Sequence, residues 1–366
     1  MIQYCTSCLM PSTRPRIVFK DGVCNGCLHA EERKRIDWDA RRKEFERLVD
    51  AKRKHQVYDA VVAFSGGKDS ASIAWRMKYD YGLNPLLVCY GQFLHTDEGR
   101  RNLNRVCEAG FDIDYWRVNQ AVCRKLARRF LIERFHIKNH YDAAVCAVPV
   151  RAAINYGIPL VCFAEHGDGT YGGHVLSEDH RRRRHRDEVL EHMVGDDARN
   201  WATDGLTERD LYPYIYPTDN EIVDVEAHYW AYYHPWSIKA NADLMREKIG
   251  FEGIKPRTDG VWPEASTDSL DDKVDGVDFF GMQIKFIFGR ATRMACRLIQ
   301  EGYLTREEGL RLVRQYDGEF PSMYFEEVMD YVGMTRREFD ELTDRHRNPE
   351  LWTKESGAWQ PRFRPG

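Results

Sequence analysis

Between residues 57 and 165, short apolar runs alternate with amphipathic stretches. Residues 57–64 are rich in Val, as in a parallel strand buried on both faces. A glycine-containing loop follows at once. Ser70 is then placed to cap a helix on which Ile73, Ala74, Met77 and Tyr81 share one face. The same reading gives strands at 85–90, 112–118 and 159–165, and helices at 97–109, 121–135 and 143–156. Strands alternating with helices predict a doubly wound α/β core around a parallel sheet. Ligands in such sheets sit beyond the carboxyl ends of the strands.

The flanks read differently. Residues 1–29 hold two close cysteine pairs, with Pro11, Pro15, Asp21 and Gly22 between them, which suggests two knuckles joined by a hairpin. Residues 30–55 are dense in charge, with Ile36, Trp38, Phe45, Leu48 and Val49 as sparse apolar positions, so a helix with one buried stripe is expected. After 166 the periodicity loosens, and aromatic residues crowd 211–236. Helical periodicity returns over 283–345, and the tail from Asn348 reads as extended. The expected division is 1–29 as a zinc ribbon, 30–55 as a linking helix, 56–280 as the nucleotide-binding core with insertions, and 281–366 as a helical C-terminal region.

Bulk composition changes this picture little. The chain has 366 residues, 43% apolar and 31% charged, an ordinary globular balance. Its formal charge of −4 disfavours nucleic acid as a main partner, because phosphate binding draws on basic excess. No apolar run is long enough for a membrane span. The N-terminus lacks a basic stretch followed by an apolar one, so no signal peptide and a cytoplasmic location are expected.

Candidate chemistry starts with the loop Ser65-Gly66-Gly67-Lys68-Asp69-Ser70. Two consecutive glycines let backbone amides approach an anion, the helix start adds its own amides, and Lys68 adds a charge. The spacing differs from a Walker A loop. The alternative is a plain turn between strand and helix. The second motif is C-x2-C-x15-C-x2-C, formed by Cys5, Cys8, Cys24 and Cys27. Two pairs of thiolates at this spacing suit tetrahedral Zn²⁺, with an iron–sulfur cluster as the rival. A third segment, Phe163 to Gly173, follows a strand and brings Glu165, His166 and Asp168 to the place where a sheet binds ligands. It contacts metal, substrate or ammonia, or is only a glycine-rich surface loop. His95-Thr96-Asp97-Glu98, with Arg100, Arg101 and Asn102 after it, either caps a helix or reaches the site. The cluster from His180 to Arg186 reads as a solvated face or as a grip for an anionic substrate. Cys146 is a core residue or a nucleophile; Cys89 and Cys162 lie in strand-like runs and read as packing.

The loop resembles the SGGxDS signature of PP-loop ATP pyrophosphatases, which cleave ATP between the α- and β-phosphates. The wider chain resembles the N-acetyl sugar amidotransferases of surface-polysaccharide and nonulosonic-acid pathways. The likeness runs through Val62–Ser70, Gly99–Asn102, Ala153–Leu160, Tyr171–Gly173, Leu270–Gly276, Ile284–Phe286 and Phe288–Thr292, and includes the cysteine pairs. It departs where the family carries a close cysteine pair and Gly-Glu-Asn, for here stand the single Cys146 and Ala164-Glu165-His166. The resemblance implies a HUP-like fold and conversion of an acetamido group on a sugar or sugar nucleotide into an acetamidino group. It implies ATP and Mg²⁺ as cofactors, with Ser65, Gly66, Gly67, Lys68, Asp69 and Ser70 holding the nucleotide; together with the residues that follow the strand at 159–165, the expected catalytic set is Lys68, Asp69, Glu165 and His166. Ammonia then comes from a separate glutaminase partner. The rivals are a PP-loop sulfurtransferase acting on tRNA or a small molecule, and a non-catalytic nucleotide-binding protein.

Overall fold

The structure, a computed structural model, describes residues 2–53 and 57–366. At its centre lies a parallel sheet of β3 (Ala60–Phe64), β4 (Pro85–Tyr90), β5 (Ile113–Trp116), β6 (Leu160–Phe163) and β7 (Glu226–Tyr229), in spatial order β5-β4-β3-β6-β7. Chain order runs outward from β3 to β5, then returns to the other side of β3 for β6. The strand order therefore reverses between β3 and β6, and a crevice opens at their carboxyl ends.

Alternation along the strands explains why both faces are covered. Val61, Val88 and Val161 pack under α5 (Gln120–Arg134) and α6 (Asn139–Tyr156). Val62, Leu87 and Cys162 pack on the opposite face with residues of α2 (Trp38–Lys52) and α3 (Lys68–Tyr79). Strands β3, β4 and β6 are thus apolar on two sides, which is why they read as unbroken hydrophobic runs. Cys89 and Cys162 are buried packing residues. The expected strand at 85–90 forms with those bounds. Helix α4 (Asp97–Glu108) also lies where periodicity placed it, with Thr96 Oγ1 accepting from Gly99 N at 3.0 Å as its cap.

The N-terminal segment forms a hairpin of β1 (Phe19–Lys20) and β2 (Val23–Cys24), running directly into α1 (Asn25–Arg33). The expected single helix over 30–55 is two helices, because Asp37 Oδ1 accepts from Ala40 N at 2.9 Å and starts α2 anew. Positions 54 and 55 of that expectation, and 56 of the next segment, lie outside the described residues. Beyond β6 come the short helices α7 (Gly167–Tyr171), α8 (Glu178–Arg182), α9 (Arg186–Glu188), α10 (Glu208–Leu211) and α11 (Trp230–Tyr233). The larger helices α12 (Ile238–Ile249), α13 (Asp275–Phe286), α14 (Arg290–Gln300), α15 (Arg306–Tyr316), α16 (Phe325–Val332) and α17 (Arg336–His346) follow. The C-terminal region is therefore helical as expected, although the division at 280–281 falls inside α13. The tail ends in a hairpin of β8 (Trp352–Glu355) and β9 (Ala358–Pro361). No helix among the described residues is long and apolar enough to cross a membrane.

Candidate functional site

The loop Ser65–Ser70 joins β3 to α3 at the point where the strand order reverses. Gly66 has φ +91°, a conformation that glycine adopts without a Cβ penalty. The two serines close the loop on itself. Ser70 Oγ donates to Gly67 O at 3.1 Å and accepts from Ser65 N at 3.3 Å, while Gly67 N donates to Ser65 Oγ at 3.2 Å. The first amides of α3 have no partner within the helix and face the crevice with its positive dipole end. Lys68 is buried, and its Nζ donates to Asp69 Oδ2 at 2.7 Å. Burial disfavours the ammonium, but Asp69 and Asp268 outweigh it and hold the Lys68 pKa above its ordinary value. Asp69 is held on its other side by Asn241 Nδ2 of α12, at 2.9 Å from Oδ1.

Acidic residues distant in sequence close the crevice. Segment 270–273 is pinned to the loop after β4: Thr96 N donates to Asp271 O at 3.1 Å, Thr96 Oγ1 to Leu270 O at 2.6 Å, and Lys273 N to Leu94 O at 2.8 Å. This sets the Asp271 carboxylate over the phosphate-type loop, where a Cβ added to Gly67 would lie 3.2 Å from Asp271 Oδ2. Burial pushes the Asp271 pKa up to about 7; Asp275 adds to the rise, and Lys138 and Lys68 oppose it. Asp272 is pushed up to about 6, again by burial first, and accepts from Phe93 N at 3.0 Å. Asp268 behaves oppositely. Burial alone would raise it, yet Arg293 and Arg290 of α14, with Lys68, hold it well below the usual carboxylate range. Beside Lys68 lies a cavity of about 340 Å³, lined among others by Ala242, Trp262, Asp268, Met294 and Tyr303.

Of the three residues after β6 that the sequence singles out, Glu165 and His166 part ways. The Glu165 carboxyl is raised by burial and by Asp69, against Arg297 and Lys68, so it shares the electrostatic field of the loop. His166 makes local contacts. Its Nδ1 accepts from Gly169 N at 2.8 Å, capping α7, and its Nε2 meets the Glu188 carboxylate. Asp168 pairs with Arg16 of the cysteine-rich segment.

The same network explains Cys146 and the arginine cluster. Arg184 is buried, donates from Nη1 to Cys146 Sγ at 2.9 Å and from Nε to Tyr229 Oη at 3.2 Å, and lies 3.7 Å over the Phe163 ring. Burial pushes the Cys146 thiol up to about 11 despite that guanidinium. Arg182 and Arg183 pair with Asp179, and Arg186 with Asp197. The segment is therefore an ion-paired strap with one buried arginine.

Cys5, Cys8, Cys24 and Cys27 are buried, and their Sγ atoms lie within 4.8 Å of one another. Sγ contacts of 3.9 Å (Cys5–Cys27) and 3.7 Å (Cys8–Cys24) match the edge of a tetrahedron around one metal at about 2.3 Å. A four-iron cluster holds its thiolates much further apart. The module grips α7. Arg33 Nη1 donates to Thr170 O at 2.5 Å, Arg14 Nη1 to Tyr171 O at 2.6 Å, and Asn25 Nδ2 to Gly173 O at 2.7 Å. Backbones meet so closely that a Cβ on Gly26 would lie 2.4 Å from Tyr171 O. The metal-type module thus positions the segment that follows Glu165.

Gln92, Asn241, Asp268, Asp271 and Arg293 at the site were not picked out from sequence. Asp271 stands within the Leu270–Gly276 stretch that carries part of the family likeness, but nothing local says which of its acids faces the loop.

Reversed strand order, the serine–glycine loop at the reversal and the four-cysteine module define an α/β protein with a PP-loop-type core. Residues 278–364 match the family described as LPS biosynthesis protein WbpG-like, C-terminal domain. Over those residues the match bears out the resemblance to N-acetyl sugar amidotransferases. No protein of curated function matches the chain. Among solved structures it is similar to the U34-tRNA thiolase NcsA from Methanococcus maripaludis with its 4Fe-4S cluster. That likeness has 13% identity over 72% of this chain and 79% of that chain, with a TM-score of 0.26.

Proposed function

We propose that the protein is an ATP pyrophosphatase that activates the acetamido oxygen of an N-acetylated sugar, or of its nucleotide conjugate, for replacement by ammonia. One observation carries the reading: an intact Ser-Gly-Gly-Lys-Asp-Ser loop, closed by its own serines, stands at the reversal of a parallel sheet beside a cavity large enough for a sugar ring. The C-terminal match to a lipopolysaccharide-biosynthesis family supports a sugar as the acceptor.

In this reading the amide oxygen attacks the α-phosphorus, pyrophosphate leaves, and the carbon becomes an adenylated imidate. Ammonia adds to that carbon, the C–O bond breaks, and AMP departs with the former amide oxygen. The product is an acetamidino group. Amides of Gly66 to Ser70 and the Lys68 ammonium hold the departing pyrophosphate. Lys68 reaches it by exchanging its pairing with Asp69 for a phosphate, while Asn241 keeps Asp69 in place. Glu165, its pKa raised, takes the proton that ammonia sheds as the C–N bond forms. His166 holds α7 and is a positioning residue. Mg²⁺, when bound with the nucleotide, would supply charge neutralisation to the phosphates. Zn²⁺ at the four cysteines fixes the fold of the N-terminal module. Ammonia is delivered by a separate glutaminase in the cytoplasm.

Sulfur transfer fits less well, because it needs a thiol that can carry a persulfide near the loop. Cys146 is inaccessible, and its raised pKa disfavours the thiolate. The test is incubation of N-acetyl sugars with ATP and ammonium, followed by mass spectrometry and nucleotide analysis. The expected result is a sugar lighter by the difference between O and NH, with equimolar AMP and pyrophosphate. Lys68→Ala slows turnover about a hundredfold or more in a protein that still folds. ADP and phosphate as products, or a sugar heavier by the difference between S and O, contradicts the assignment.

A further inference from the structure

Two oxygen atoms at the loop are left without partners. Gln92 follows β4, is 7% exposed, and donates from Nε2 to Ser65 O, which fixes its amide orientation and leaves Oε1 as a buried acceptor with no hydrogen bond. Asp271 Oδ1 is likewise buried and unbonded. Both side chains approach Gly66, for a carbon placed there would lie 3.8 Å from Asp271 Oδ1 and 3.8 Å from Gln92 Nε2, the nitrogen of the amide whose Oε1 is unbonded. Neighbouring carboxylates are already committed. Asp69 is bonded to Lys68 and Asn241, Asp268 to Arg290 and Arg293, and Asp275 to Lys138. Asp272 accepts from the amides of Phe93, Leu94 and Val274. Glu165 apart, which the proposed reaction uses for proton transfer, Asp271 is the carboxylate that remains to face the phosphate-type loop. The main-chain bonds that pin 270–273 to 94–96 hold it there without help from a ligand.

We propose that Asp271 and Gln92 are the protein ligands of a hard divalent cation, Mg²⁺, which they share with the phosphates of the bound nucleotide. One carboxylate and one carbonyl-type oxygen, with phosphate oxygens completing the shell, are the ligand set that such an ion takes in nucleotide sites. This assignment rests on the loop binding ATP.

Its test is the affinity of the full-length protein for an ATP analogue with a methylene bridge between the α- and β-phosphates, measured by calorimetry with and without Mg²⁺. Wild-type protein should bind the analogue more tightly when Mg²⁺ is present. Asp271→Asn should keep the metal-free affinity and lose at least about tenfold of the Mg²⁺-dependent gain. Gln92→Leu should lose a smaller part of the same gain, and it serves if the first variant does not fold. Full Mg²⁺ enhancement in a folded variant overturns the assignment of these ligands while leaving the loop intact. A wild-type protein that binds no analogue under either condition overturns the reading of the loop, and this inference with it.

Discussion

His140 is fully buried on α6, its ring 5.2 Å from that of Phe93, and neither ring nitrogen has a hydrogen-bond partner among the described residues. Burial, with His136 and Lys138 nearby, lowers its pKa from 6.5 to about 3. The folded state keeps this ring neutral while the unfolded chain protonates below pH 6.5, so its contribution to stability is lost as pH falls. Replacing it by Leu removes that loss. His140→Leu should gain on the wild type by about 1.4 kcal/mol per pH unit as pH falls from 6.5 to about 3. Denaturant unfolding at several pH values checks this, and a pH-independent difference contradicts it. Legibility at this scale divides along the same line of locality. Lys68 and the loop serines were readable because strand, glycines and helix start are contiguous. Gln92 and Asp271 were not, because their role depends on two chain segments far apart in sequence lying over Gly66.

Among elements, strands with two buried faces were the easiest to read, and β4 lies at its expected bounds. Strand β7 escaped because Glu-Ala-His-Tyr carries two polar residues in four and sits at the edge of the sheet. Its pairing with β6, and the burial of His228 against Tyr233 at 2.8 Å, are decided by tertiary contacts. The cysteine spacing announced a metal site, but not that the module would clamp α7. That clamp makes a sharp prediction. In Gly26→Ala the new methyl would lie 2.4 Å from Tyr171 O and 2.8 Å from Gln300 Nε2. Backbone cannot yield as a flexible side chain does, so stability should fall by about 1–3 kcal/mol. Bound zinc should stay near one per chain, and amide exchange should quicken in α7 before it does in the central strands. Unchanged exchange in α7 would show that the module does not hold that segment.

For the whole molecule, the C-terminal helices belong to the site's architecture. Arg290, 2% exposed, donates to Asp259 and Asp268, and Arg293 donates to both oxygens of Asp268. These contacts bring the region that matches the WbpG-like family to within reach of Lys68, whose charge they share. Core, four-cysteine module and C-terminal helices therefore converge on one crevice, where the proposed chemistry has a definite atomic outcome. If the acetamido oxygen is adenylated and then displaced by ammonia, that oxygen must leave on AMP. The direct measurement uses an N-acetyl sugar whose acetamido oxygen is a heavy isotope, incubated with ATP and ammonium, with mass analysis of the nucleotide and pyrophosphate. The account predicts heavy AMP in equal amount to the amidino sugar, and unlabelled pyrophosphate. Unlabelled AMP alongside amidino product, or label in pyrophosphate, would contradict it.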